Sequence, residues 1–304
     1  MKNITPFTVN NGYAVTVDAL RAMLQKNLFV ECGPTQTKSS GFVDPLNGEA
    51  TGDEMQLLRM ADGVFVFSHQ VQKKKVPASI VKQELKNRVA TYTAETGSKP
   101  GRQWRAEAKE TITLELLPKC FPSNSTLTCF LDLKNLLLVV GTASNNTAEE
   151  LVSILRKELP GFFPCYMDCE RSPTNMLTAW VRTGEPPEGL TIDMDGEMTN
   201  NTSGKGVIKF ANQSMTAAEV QSHLAAGYIV SKLALTWADK VSFMAGEDFS
   251  LTKLRQVAVI EDHQTEDKVS EFTATMTIIT KEIVQLVRDL ELAYGGPKAE
   301  PIAA

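Results

Sequence analysis

The sequence predicts an α+β fold of several lobes, and three observations carry that expectation. Short apolar segments with strand alternation are interspersed with amphipathic stretches at helical spacing along the whole chain. Apolar residues make up 42% and charged residues 22% of the 304 positions, ordinary proportions for a chain that buries a core. Gly- and Pro-rich breaks separate the segments, and no internal repeat or low-complexity tract replaces them.

Taken in order, a strand-like start at Ile4–Val9 leads to an amphipathic segment, Val17–Leu28, and then to the loop-like "CGPTQTKSSGFVDPLNG". "GVFVFSHQV" alternates as a strand. Pro77 suits the first turn of a helix on which Val81, Leu85, Val89 and Tyr92 form one apolar stripe. That helix should end near "ETGSKPG", and a more charged one, about Gln103–Leu117, should stop at Pro118. "STLTCFLDLKNLLLVVGTA" reads as a hairpin turning near Leu133–Asn135. Thr147 with Glu150, and Thr216 with Glu219, have the spacing of helix-opening capping boxes. "SGKG" at 203–206 reads as a turn before the strand "GVIKF", and Tyr228–Val259 reads mostly as strands. "FTATMTII" looks like one more strand, and the last helix carries Ile283, Val287, Leu290 and Tyr294 on one face before Gly295 and Gly296. Within one chain the expected sub-lobes are an α/β lobe over 1–75, a basic helical lobe over 76–125, and an α/β lobe with a C-terminal helix over 126–304.

The longest apolar run, "LLLVV" at 136–140, is far short of the ~20 residues that span a bilayer, so no membrane partner is expected. The first residues have no apolar core and no small-residue cleavage site, and no signal peptide is expected. Five irregularly spaced cysteines with no CxxC pair fit a reduced, cytoplasmic chain. The net charge is −5, yet between His69 and Lys119 eleven Lys/Arg outnumber five Asp/Glu. An acidic chain with one basic sector suits a polyanionic partner, because local potential steers association.

That sector is concentrated in Lys73, Lys74, Lys75, Lys82, Lys86 and Arg88. Lysine is a point charge fitted to the phosphate backbone more than to bidentate reading of bases. No helix-turn-helix, zinc-finger or aromatic RNA-binding signature accompanies it, so the pattern reads as sequence-independent phosphate contact or as a solvated surface. Catalytic motifs are thin: no Walker A, GxGxxG or GxSxG occurs, and His69, His223 and His263 lack ligand spacing, so no metal or cofactor is expected. One acidic constellation, Asp193, Asp195 and Glu197 in "DMDGEM", could hold Mg²⁺ for a nuclease if it lies on a strand, or could be an ordinary turn. The acid-x-Lys triplets "EAK" at 107–109 and "EDK" at 266–268 echo a nuclease signature.

The segments "GFVDP" (41–45), "KKKVPASIVKQEL", "LLPKCF" (116–121), "TAWVRTG" (178–184), "GVIKFANQSMTAAEV" (206–220), "VSKLALTW" (230–237) and "SLTKLR" (250–255) together resemble the recombination-associated protein RdgC family of bacteria and their phages. The resemblance implies a non-enzymatic protein that forms a ring-shaped homodimer around double-stranded DNA without sequence preference, with single-stranded DNA as a second candidate partner. It also implies a role in recombination and replication, where the family limits access of the RecA recombinase, and a nucleoid-associated location in the cytoplasm. The family has also carried an exonuclease label, which keeps a Mg²⁺-dependent nuclease as the alternative. Phe121 matches the aromatic that plugs a pocket on the partner subunit; the bland reading is a core phenylalanine. "KFANQ" matches a stretch with a DNA-contacting basic-Gln pair. Here Gln213 remains and Asn212 replaces the basic residue, leaving Lys209 nearby. Cys120 stands where the family usually has alanine.

Overall fold

Twenty elements alternate along the chain in a computed structural model that describes residues 1–9, 15–50, 54–200, 206–257 and 267–298. They are β1 (Thr5–Val9), α1 (Val17–Lys26), β2 (Lys38–Val43), α2 (Glu54–Leu57), β3 (Arg59–Ala61), β4 (Val64–Lys73), α3 (Ala78–Thr96), α4 (Arg102–Leu116), β5 (Ser123–Asp132) and β6 (Leu137–Val140). Then follow α5 (Asn145–Glu158), β7 (Pro164–Tyr166), α6 (Pro173–Thr183), β8 (Leu190–Asn200), β9 (Gly206–Phe210), α7 (Ala218–Ala225), β10 (Ile229–Trp237), β11 (Val241–Gly246), β12 (Leu251–Gln256) and α8 (Lys268–Ala293). The result is a mixed α/β fold with more than one sheet.

The chain divides into two compact units. The larger comprises Met1–Met23, Leu58–Phe67 and Leu127–Ala304, and the smaller comprises Leu24–Leu57 and Ser68–Thr126. In the larger unit, β1 pairs antiparallel with β6 and with β7, and β6 continues to Cys129–Asp132 of β5. A second sheet has the order β12-β11-β10-β8-β9. One of its faces buries Met198, Val230, Leu233, Leu235 and Phe243 in the same apolar core as Leu177 and Val181 of α6 and Ile283, Val287 and Leu290 of α8. Burying each such side chain contributes roughly 1.5–3 kcal/mol, and this core dominates the unit.

The termini of the helices follow local chemistry. Ser172 accepts a hydrogen bond from the Asn175 N–H and Pro173 occupies the first helical turn, while Gly184 closes α6 in the left-handed region at φ 76°. The two expected capping boxes are displaced. Ser144, not Thr147, caps α5. Helix α7 opens at Ala217, which has no side-chain oxygen to cap it, and Glu219 accepts from the amide of Gln213.

The segment Phe272–Ile279 is helical within α8, correcting its strand-like reading. Asp267 caps this helix through the Val269 and Ser270 N–H groups, and the Thr273 and Thr277 hydroxyls donate back to the preceding turn. Met276, Thr280 and Ile283 then fall on one buried face at helical spacing. Strand propensity here yields to a packed stripe of period 3.6, which only the helix can bury. "SGKG" before Gly206, positions 258 and 259, His263 and Glu266 lie outside the described residues.

In the smaller unit, β2 runs antiparallel to the second half of β4, Lys38 facing Lys73 and Val43 facing Ser68. After β4 the chain forms a helical hairpin of α3 and α4. Its core is small: Val76, Val81, Ile112 and Leu117 are buried, with Leu85, Leu116 and Cys120 packed against them. All five cysteines are unpaired, and burial pushes the Cys129 and Cys169 thiols up to about 12.

Candidate nucleic-acid interface

The basic sector begins where β4 ends. Lys73 and Lys75 are exposed, whereas the Lys74 ammonium donates to the Cys32 carbonyl at 3.1 Å and the Gly33 carbonyl at 3.0 Å. Val76 enters the hairpin core, and Pro77, at φ −59° and ψ 129°, sits at the N-cap of α3. A proline suits this position because its fixed φ turns the chain and the first helical N–H groups have no partner to lose. One turn apart on the exposed side of α3 stand Lys82 and Lys86.

Arg88 plays a different part. Its Nη2 lies 2.5 Å from Glu115 of α4, and its Nε lies 3.6 Å from Glu84 one turn earlier. The Glu115 hydrogen bond raises the proton affinity of the guanidinium above its ordinary value. Arg88 thus ties the two helices together. Helix α4 adds Arg102, Arg105 and Lys109, all exposed, which sequence reading included in the charge of the sector but did not single out. The signal was present: they recur at intervals of three and four, the spacing of one helical face.

The other expected DNA contacts lie in the larger unit. Lys209 is exposed on β9 and pairs with Glu197 at 3.6 Å, a carboxylate that also meets Lys232 at 3.2 Å. The Gln213 side-chain amide donates to Glu219, and its backbone N–H donates to the Met194 carbonyl at 2.8 Å. Asn212 takes a left-handed φ of 54°, its N–H held by Asp195 at 3.0 Å. Asn tolerates that conformation better than most residues with a Cβ.

Asp193, Asp195 and Glu197 lie on β8, so "DMDGEM" is strand and not turn. Each carboxylate is engaged separately: Asp193 accepts from the Thr236 hydroxyl at 2.9 Å, Asp195 from the Asn212 N–H, and Glu197 from two lysines. Among the described residues, no group of three or more His, Cys, Asp or Glu side chains is arranged to hold a metal ion. "EAK" lies on the exposed surface of α4.

Phe121 follows the single 3₁₀ turn Leu117–Lys119 that ends α4, and it is 95% exposed. The core reading of this residue therefore does not hold for the single chain. In the same unit, a cavity of about 310 Å³ is lined by Ser79, Ile80, Gln83, Glu84 and Leu116. Ile80 itself is half exposed.

A mixed α/β chain carrying a positively charged helical hairpin beside an unburied aromatic is the class of protein these features define. The family model described as "Putative exonuclease, RdgC" matches residues 1–297. The chain is 29% identical over 304 residues to the recombination-associated protein RdgC of Herminiimonas arsenicoxydans, covering 98% of this chain and 99% of that one. The counterpart from Tolumonas auensis matches at the same identity and coverage, and that from Psychromonas ingrahamii at 28% over 302 residues. This chain belongs to the RdgC family. Among the described residues, no helix is long and apolar enough to cross a membrane.

Proposed function

We propose that the chain is a sequence-independent DNA-binding protein of recombination and replication, working without catalysis as a ring-shaped homodimer in the nucleoid of the cytoplasm. In this reading the ring encloses duplex DNA and restricts the access of RecA to it. The observation that carries the reading is the row of exposed cations Lys73, Lys75, Lys82 and Lys86, which have no carboxylate partner among the described residues. Such groups can neutralise phosphates without disturbing the fold, whereas Lys74 and Arg88 already have structural partners. Lys209 contributes less, since Glu197 shares its charge.

The test is binding to duplexes of unrelated sequence across a range of salt. Each phosphate neutralised adds about 0.9 to the slope of log affinity against log salt, so four lysines from each of the two chains give a slope of about −7. Equal affinity for all sequences is expected, with no loss of end-labelled DNA in Mg²⁺ or Mn²⁺. Degradation abolished by Asp195→Asn would instead establish the exonuclease alternative that the family description names.

Dimer closure rests on Phe121 in this reading. The aromatic of one chain would enter the cavity beside Ile80 and Leu116 of a second copy, and twofold symmetry would repeat the contact. Two buried phenylalanines contribute about 3–6 kcal/mol together. Phe121→Ser should therefore weaken the dimer roughly a hundredfold or more. Sedimentation equilibrium measures this directly, and an unchanged dimer would remove Phe121 from the interface.

A further inference from the structure

The far end of the helical hairpin carries an aromatic pair that the fold does not use as core. Tyr92 near the end of α3 and Trp104 near the start of α4 stand with ring centroids 4.8 Å apart, tilted by 47°. Both are only half-buried, and neither belongs to the core of Val76, Val81, Ile112 and Leu117. From Ile112, the nearest buried residue of α4, Trp104 is about 12 Å away along the helix axis.

The other two tryptophans show what a structural role looks like. Trp180 is 4% exposed and stacks on Tyr294 at 5.6 Å and 15°, while Trp237 is 7% exposed and donates its indole N–H to Asp289 at 2.9 Å. Trp237 thus satisfies its polar end, as a buried Trp commonly does, whereas Trp180 is placed by burial and by its stack on Tyr294. The indole N–H of Trp104 and the hydroxyl of Tyr92 have no hydrogen-bond partner among the described residues.

Three cations lie within five residues of Trp104 along the chain. Lys99 lies in the turn that Gly97 opens at φ 73°, and Arg102 and Arg105 flank Trp104 on the first turns of α4. All three are exposed, and none has an ion-pair partner among the described residues. A part-exposed aromatic pair with unpaired cations close to it in the chain can hold single-stranded nucleic acid: a ring stacks on a base, and the long cationic side chains take neighbouring phosphates. Bases of an intact duplex keep their faces covered, so the arrangement suits an unpaired strand.

We propose that the hairpin tip is a stacking platform for an unpaired DNA base, with Trp104 as the contacting ring, Tyr92 as its support, and Lys99, Arg102 and Arg105 as phosphate contacts. The proposal rests on the DNA-binding reading and adds a second mode to it. Backbone contact along the lysine row accepts any duplex, while the tip selects single strands, gaps or frayed ends.

The buried state of Trp180 and Trp237 makes the test direct, because a stacked base can quench only Trp104. Titrating the wild-type protein with single-stranded oligothymidylate should quench and blue-shift the exposed part of its tryptophan emission. An abasic oligonucleotide of equal length carries the same phosphates and should bind without that change. Trp104→Leu should bind oligothymidylate about tenfold more weakly and leave abasic and duplex affinities as they were, while Trp104→Phe retains most of the affinity. If saturating oligothymidylate leaves the emission unchanged, or the abasic strand changes it equally, the platform is refuted and the DNA-binding reading stands. If neither single strand nor duplex binds at low salt, both fall.

Discussion

Reversing three charges at once in both chains of the dimer, Lys73→Glu, Lys75→Glu and Lys82→Glu, is expected to lower duplex affinity at least on the order of a thousandfold at moderate salt and to flatten the salt slope by about 5. All three side chains are exposed, so the substitutions remove phosphate contacts, add repulsion and leave the core untouched. The comparison that gives the experiment its force is internal. Lys74→Glu should act mainly by releasing the loop carbonyls of Cys32 and Gly33, and Arg88→Glu by separating α3 from α4 at Glu115. These two should change thermal unfolding more than the salt slope, and the exposed three should do the reverse. A triple variant that binds duplex at low salt with unchanged affinity would take the phosphate contacts away from this hairpin.

The largest expected effect on stability comes from the smallest substitution. Gly41→Ala should destabilise the smaller unit by about 3 kcal/mol, against the usual expectation that Ala for Gly inside a strand is favourable. A Cβ at this position would meet the Phe29 Cα and N at 2.4 Å and the Leu28 carbonyl carbon at 2.5 Å. Those are backbone atoms with little room to move. Phe29 donates its N–H to the Phe42 carbonyl at 3.0 Å, and Phe42 donates to the Asn27 carbonyl at 2.8 Å. On the other side Gly41 is in register with Gln70 of β4, and Phe42 and Val43 are fully buried. The glycine of "GFVDP" is thus required by a strand laid against a second backbone, not by an unusual dihedral angle. Hydrogen exchange read separately for β2 and for β10 would check this. Loss of protection in β2, with β10 unchanged, is the expected result, and full protection in β2 would refute the clash.

Much of the fold was legible from periodicity. The stripe Ile283, Val287, Leu290 and Tyr294 is buried as its spacing implied, and Gly97 ends α3 where the Gly/Pro cluster stands. Phe272–Ile279 was misread because β-branched residues at Thr273, Thr275, Thr277, Ile278 and Ile279 raise strand propensity locally. The burial of Met276, Thr280 and Ile283 against the larger core overrides that preference. At the candidate interface, sequence reading found the charge but not its availability. Arg88 and Glu115 are 27 residues apart, and Lys74 and the Cys32 carbonyl are 42 apart. Gln213 and Glu219, only six apart, are joined by a loop whose course depends on the left-handed Asn212.

By itself, then, the sequence determined the mixed α/β alternation, the basic sector within an acidic chain and the family. Each of these depends on residue type and order, which survive without coordinates. Only the tertiary structure decided which cations are unpaired, that Phe121 is bare, that the carboxylates of β8 are separately engaged, and that Trp104 stands apart from the two structural tryptophans. Those properties belong to pairs of groups brought together by folding, and their free energies come from distance and burial, which no local pattern encodes.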